Sequence, residues 1–261
     1  DKGPPFSVQT TGLKPGTHDR AAMTWGHYGS RNGVWRLLKI LNENKVPSTF
    51  VSNAYSMEIA PAAVEHMLKT GHEIAAHSYT QDALMAYLSP DEEKAIIGKC
   101  IDVFKKLTGA PPKGWLSPVL APTAETERLI AEAGFLWYGD YNNIDLPFVV
   151  NTNGGPLVAF PHTDFADHRV LRANPRDWFE VYKDTFDYLY ANEPNSLLNV
   201  TVHCHFGGRP LMAAQVDRIL KYLRGFPGVW FARHDELAQW VKDNNIAEWT
   251  NQERLGPQNA R

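Results

Sequence analysis

The sequence predicts an α/β chain closed into a barrel, on three observations. Short apolar segments alternate with amphipathic segments of helical periodicity, the habit of parallel strands joined by helices. About eight such strand candidates occur, at residues 6–10, 48–52, 73–77, 114–116, 135–138, 157–160, 197–203 and 229–232, a number that favours a barrel over an open sheet. Polar and titratable residues gather just after five of them, where a parallel barrel places its site.

The helices carry their own punctuation. Val34, Leu37, Leu38 and Leu41 repeat at i, i+3, i+4 and i+7, the stripe of a helix laid against a sheet. Another helix opens at Ser89 with Pro90 at its first position and Glu92 completing a capping box, and it closes on Lys105, Lys106 and Gly109. Its Ile97, Ile101, Phe104 and Leu107 face the core, and Cys100 falls on that face. Asn174 and Pro175 start a third helix running through Trp178, Tyr182, Phe186 and Leu189, and residues 235–243 form a short final one. With no linker-like stretch before the end, residues 1–251 read as a single domain and 252–261 as a polar tail.

Composition narrows the function classes. The chain has 261 residues, 43% apolar and 21% charged, enough for one large core. Basic and acidic side chains nearly balance, 26 against 29, so no long-range field gathers nucleic acid or an anionic membrane, and a small-molecule or glycan partner is expected. No apolar run approaches the roughly 20 residues of a membrane span, and the first residues lack a basic segment followed by an apolar one. A cytoplasmic homo-oligomer is the expectation, with export left open because the numbering starts at Asp1 without a methionine. The two cysteines, Cys100 and Cys204, form no CxxC and no disulfide framework, and alternation along a strand turns Cys204 away from its flanking histidines.

The strand ends supply the chemistry. His77 and Ser78 end one strand, Trp115 and Ser117 another; Asp140 follows a third, His162 and Asp164 a fourth, and His203 and His205 a fifth. Residues two apart share a strand face, so Glu73, Ala75 and His77 form one set, and Thr201, His203 and His205 another. A lone histidine is more often a satisfied core or rim residue, but several converging on one mouth argue for function. Glu73 lies deeper than His77 and reads as a buried structural carboxylate. His203 and His205 also match the HxH spacing of zinc-binding amidohydrolase barrels, although that pair lies near the N-terminus there and near the C-terminus here.

Longer motifs point to one family. The run Gly71-His72-Glu73-Ile74-Ala75-Ala76-His77-Ser78 resembles the GHE-x-x-x-H-[ST] segment of the polysaccharide deacetylase, or NodB-homology, family. The likeness continues through Pro47-Ser48-Thr49-Phe50-Val51, Tyr28-Gly29-Ser30-Arg31, Gly114-Trp115-Leu116-Ser117-Pro118, Asp145-Leu146-Pro147, and His203-Cys204-His205 with Gly208-Arg209-Pro210. It is most similar to the allantoinase-like and imidase-like branch. The resemblance implies a deformed (β/α) barrel and hydrolysis of an amide, imide or ureide by water. By match of motif, His77 takes the place of the first metal-ligating histidine and His203 that of the general acid on the leaving nitrogen, while Arg209 holds an anionic or carbonyl group of the substrate.

The departures weigh as much. Metal-dependent members carry a second histidine four residues after the first, where this chain has Gln81, and paired carboxylates after the first strand, which residues 7–11 lack. Asp19, beside His18, is the most plausible replacement carboxylate. The site therefore either holds one divalent metal such as zinc through His77 and Asp19, or none. The expected catalytic set is His203, His77 and Asp19. Substrate-binding positions are Arg209, Trp115, Ser117, Tyr28, Trp25, His205 and Asp145, with Trp25, Trp115 and Tyr28 as pocket walls. Two rival functions stay open: a metal-dependent de-N-acetylase of amino-sugar polymers such as peptidoglycan or chitin, and a non-catalytic carbohydrate or small-molecule binder on the same barrel.

Overall fold

The structure, a computed structural model, describes residues 14, 17–162, 166–170 and 174–256. Among them six strands form one mixed sheet: β1 (Thr49–Ser52), β2 (Glu73–Ala76), β3 (Gly114–Trp115), β4 (Trp137–Tyr141), β5 (Phe148–Thr152) and β6 (Gly155–Pro161). They are ordered β1-β2-β3-β4-β6-β5. Each of the first four runs parallel to the next, β6 runs parallel to β4, and β5 returns antiparallel along β6. The helices are α1 (Arg20–Tyr28), α2 (Val34–Asn44), α3 (Ala54–Ile59), α4 (Pro61–Lys69), α5 (Pro90–Thr108), α6 (Thr126–Glu132), α7 (Asp167–Val170), α8 (Pro175–Asn192), α9 (Cys204–Gly207), α10 (Pro210–Leu223), α11 (His234–Asp243) and α12 (Asn251–Leu255), with a π turn at Gly29–Gly33 joining α1 to α2.

The expected helix signals act as read. At α5 the Glu92 N–H donates to Ser89 Oγ and the Ser89 N–H to Glu92 Oε2, and Gly109 closes the helix at φ +81°. Asn174 caps α8 by accepting the Arg176 N–H at 3.1 Å. Of the polar tail, the described part opens with α12, capped by Thr250, and residues 257–261 lie outside the described residues.

Three strand expectations fare differently. Residues 6–10 lie outside the described residues. Residues 197–203 and 229–232 occupy their expected places in the chain but join no ladder. Strand β5 was not anticipated, although Asn153-Gly154 ahead of Gly155 is a hairpin-turn sequence.

Alternation along β2 divides the core. Ile74 and Ala76 face outward into a cluster with Leu38 of α2, Met57 of α3, Ile97 and Phe104 of α5, and Trp115 of β3. Ala75 faces inward, with Trp137, Val158 and Phe160, onto Ala238 and Val241 of α11. A third cluster packs α2 against α8 and α10 through Leu37, Trp178, Tyr182, Met212 and Ile219. Glu73 is the buried structural carboxylate that its depth implies. It accepts hydrogen bonds from Thr49 Oγ1, Trp137 Nε1 and the Asp235 N–H at 2.6, 2.9 and 2.9 Å.

Candidate active site

His77 follows the last residue of β2, on the alternate face shared by Glu73 and Ala75. Its Nδ1 lies 2.6 Å from the Leu116 carbonyl. A carbonyl only accepts, so Nδ1 carries the proton and Nε2 is left as an acceptor. Burial pushes the His77 pKa down to about 4, the Leu116 bond opposing it and the charges of His203 and His162 adding to it, so the ring is neutral near pH 7. The Asn53 side-chain amide donates to the His77 carbonyl, pinning the end of the strand. The peptide that holds His77 is itself held: the Ser117 N–H donates to Asp140 Oδ1 at 2.8 Å. Burial raises the Asp140 carboxyl, and its Oδ2 has no hydrogen-bond partner.

His203 stands at the N-cap of α9. Its backbone N–H donates to Asp167 Oδ2 at 2.8 Å, and its Nδ1 lies 2.7 Å from Asp167 Oδ1. Asp167, the first residue of α7, has no solvent exposure. This two-point grip fixes both ring and backbone of His203. The His168 ring packs edge-on at 5.1 Å.

From His203 a run of rings leads outward. His205 is 5.6 Å from His203, and Trp25 is 4.9 Å from His205. The Arg209 guanidinium lies 5.3 Å from the Trp25 ring and 4.3 Å from that of Tyr28, with its Nε donating to the His205 carbonyl at 3.1 Å. Burial, with the charge of His203, pushes the His205 pKa down to about 4. Arg36 donates to Tyr28 Oη at 2.7 Å and to the Gly208 carbonyl, fixing the outer ring.

His203, His205, Trp25, Tyr28 and Arg209 are thus linked by contacts, and His77 feels the charge of His203, but four expectations change. His205 lies in α9, not on a strand, so its nearness to His203 comes from a helical turn. Cys204 in the same turn packs between two core clusters, and burial pushes its thiol up to about 12, which leaves it inert. Trp115 and Ser117 are fully buried: Trp115 packs on Phe135 and donates to Ser117 Oγ at 3.1 Å. Asp145 accepts from Asn251 Nδ2 at 2.5 Å and borders a cavity of about 220 Å³ under α8 and α12, whose lining includes none of the site histidines. Asp19 is half-buried one residue ahead of α1. Asp164 lies outside the described residues. Asp167 and Asp140 were missed as site residues, the first because a single strand end is followed by two candidate acids three residues apart.

A zinc of the family type finds a poor donor set here. Among the described residues one group of three possible ligands lies together, Asp167, His168 and His203, and it includes neither His77 nor Asp19. Within that group the Asp167 oxygens and His203 Nδ1 are already hydrogen-bonded to each other. At His77 only Nε2 is available, and position 81 is a glutamine.

The polysaccharide deacetylase model matches residues 14–137. A probable polysaccharide deacetylase from Pseudomonas aeruginosa PAO1 has 32% identity and a TM-score of 0.81, covering 88% of this chain and 80% of its own. The PuuE allantoinase has 31% identity and a TM-score of 0.82, over 89% and 80%. A peptidoglycan deacetylase from Helicobacter pylori is 23% identical over 85% of each chain. Together with the parallel β1 to β4 order, these likenesses identify the fold as the deformed (β/α) barrel expected from sequence. The chain belongs to the polysaccharide deacetylase family of hydrolases, which act on carbon–nitrogen bonds.

Proposed function

We propose that this chain hydrolyses a small amide, cyclic imide or ureide with water as the nucleophile. One observation carries the reading: a fully buried Asp167 grips His203 at two points, while neutral His77 has one ring nitrogen committed to a carbonyl and the other open. The water oxygen attacks the carbonyl carbon, and the C–N bond then breaks as His203 Nε2 passes a proton to the departing nitrogen. The acid form of His203 carries a proton on each ring nitrogen, and Asp167 accepts the one on Nδ1, which leaves Nε2–H oriented for the transfer. With a pKa near 4, His77 is a weak base, so its Nε2 orients the water and Asp19 is assigned the water's proton. The carbonyl carbon becomes a carboxylic or carbamic acid and the nitrogen leaves as an amine, amide or urea N–H, both on one ring-opened molecule when the substrate is cyclic. The likeness to an allantoinase supports a small substrate.

The test is turnover of allantoin, a cyclic imide and N-acetylglucosamine oligomers, with and without chelator. Turnover of a ureide or imide that survives chelation, and is lost in a folded His203→Ala variant, is expected. The likeness to a peptidoglycan deacetylase favours a second reading, a metal-dependent de-N-acetylase. Turnover confined to the sugar oligomers and abolished by chelator would select it. Absence of turnover on all three would favour a non-catalytic binder.

A further inference from the structure

Two half-buried guanidinium groups meet around Tyr28, and neither Arg36 nor Arg209 forms an ion pair among the described residues. Arg36 spends Nη1 on both Tyr28 Oη and the Gly208 carbonyl, which ties it to the ring rather than to the mouth beyond it. Among the described residues Arg209 spends only Nε, on the His205 carbonyl, and its guanidinium carbon lies over the rings of Tyr28 and Trp25. Among the described residues its two terminal nitrogens have no partner, and a run of neighbours at 5.3, 4.9 and 5.6 Å leads through Trp25 and His205 to His203.

We infer that the substrate carries a carboxylate, which the terminal nitrogens of Arg209 take in a forked pair, while its scissile C–N bond lies at His203; the inference rests on the hydrolase reading above. A guanidinium presents parallel N–H donors that match a carboxylate, and an aromatic platform fixes their direction without neutralising the charge. A substrate that covers Arg209 strips water from it. If that substrate is neutral, the desolvated cation stays uncompensated, whereas a carboxylate offsets it. The neighbouring His205 is held neutral and offers no competing charge. A neutral amino-sugar polymer leaves the anchor unused, so the geometry favours a small acid bearing an amide or ureide.

The probes are N-carbamoylglycine and its neutral primary amide, binding by calorimetry at low ionic strength to wild type, Arg209→Gln and Arg209→Lys. Wild type should bind the acid about tenfold or more tightly than the amide, a difference of roughly 1.4 kcal/mol. Arg209→Gln should erase the preference while keeping the wild-type melting point, and Arg209→Lys should retain part of it, because it keeps the charge and loses the fork. Equal affinity for the two probes, a preference that survives Arg209→Gln, or no measurable binding of the acid would overturn the inference. Binding to His203→Ala separates it from the hydrolase reading. If the preference holds there while no wild-type turnover of any amide is found, the anchor stands and the hydrolase reading falls. If acid and amide are turned over with equal kcat/KM, the reverse applies.

Discussion

At the scale of single residues, the site depends on side chains held by few but specific partners. Asp167→Asn keeps one oxygen for His203 but sets an NH2 group against a second donor, either the backbone N–H or Nδ1–H. The expected result is a fall in kcat/KM of about a hundredfold or more, read with steady-state kinetics on whichever ureide or imide the wild type cleaves. Asp19→Asn separates its two roles: a turn residue tolerates asparagine, whereas loss of the water's base should lower turnover about a hundredfold with little change in melting point. Ser78 carries a different load. It turns the chain directly after His77 at φ +60°, the left-handed region, is buried, and donates to Met85 Sδ at 3.5 Å. Ser78→Val adds a β-branched side chain at that φ, so a stability loss of about 1–3 kcal/mol in denaturant titration is expected, whereas Ser78→Gly should cost less. His77 and His203 were legible in the sequence because both end apolar segments. Asp140 is noted at a strand end, but its hold on the Ser117 N–H was not legible there, and Asp167 was not legible at all, because what marks both is which backbone N–H they reach, and no periodicity encodes that.

At the scale of elements, the strand candidate at 197–203 shows what alternation can hide. It is apolar enough for a strand, yet the Thr201 N–H donates to Tyr182 Oη at 3.0 Å and the His203 N–H to Asp167. Alternate donors that a ladder needs are therefore taken by side chains, and Asn199 Nδ2 ties the segment to the end of β6 by donating to the Pro161 carbonyl at 3.3 Å. The missed β5 has the opposite cause, since its turn signal is local and its apolar run, Phe148 to Val150, is short. The motif glycines find their reason at this scale too. A Cβ on Gly33 would come within 1.8 Å of the Cys204 carbonyl oxygen, and one on Gly208 within 2.2 Å of Gly33 Cα. The π turn and the loop after α9 therefore meet backbone to backbone, which brings Tyr28 beside Arg209. Gly208→Ala must push these elements apart. A clear loss of stability is expected in thermal unfolding, and any folded fraction should bind substrate more weakly because Tyr28 and Arg209 separate.

At the scale of the whole molecule, the barrel carries an unusual load of neutral imidazole. Burial pushes His77, His205 and His234 down to about 4. An unfolded histidine titrates near 6.5. Above about pH 6.5 these rings are neutral in both states and contribute no pH dependence. Between about 6.5 and 4 the unfolded chain takes up protons that the folded chain refuses, so stability falls as pH drops through that window. The buried Asp235, lowered by Lys113 and Arg233 against the opposing effect of burial, acts only below its ordinary 3.8, so the two effects separate along the pH axis. His234 isolates the histidine effect from the chemistry, because it sits on the inner side with its ring centroid 4.8 Å from Trp137 and 4.8 Å from Phe160. His234→Phe keeps a flat ring in that aromatic setting and removes the proton site. The drop in melting temperature between pH 7 and pH 5, followed by circular dichroism, should be smaller in the variant than in wild type. An unchanged drop would mean that His234 is already protonated in the folded barrel, or that the unfolded chain does not take up the proton, and the burial argument would fail for the other two rings as well.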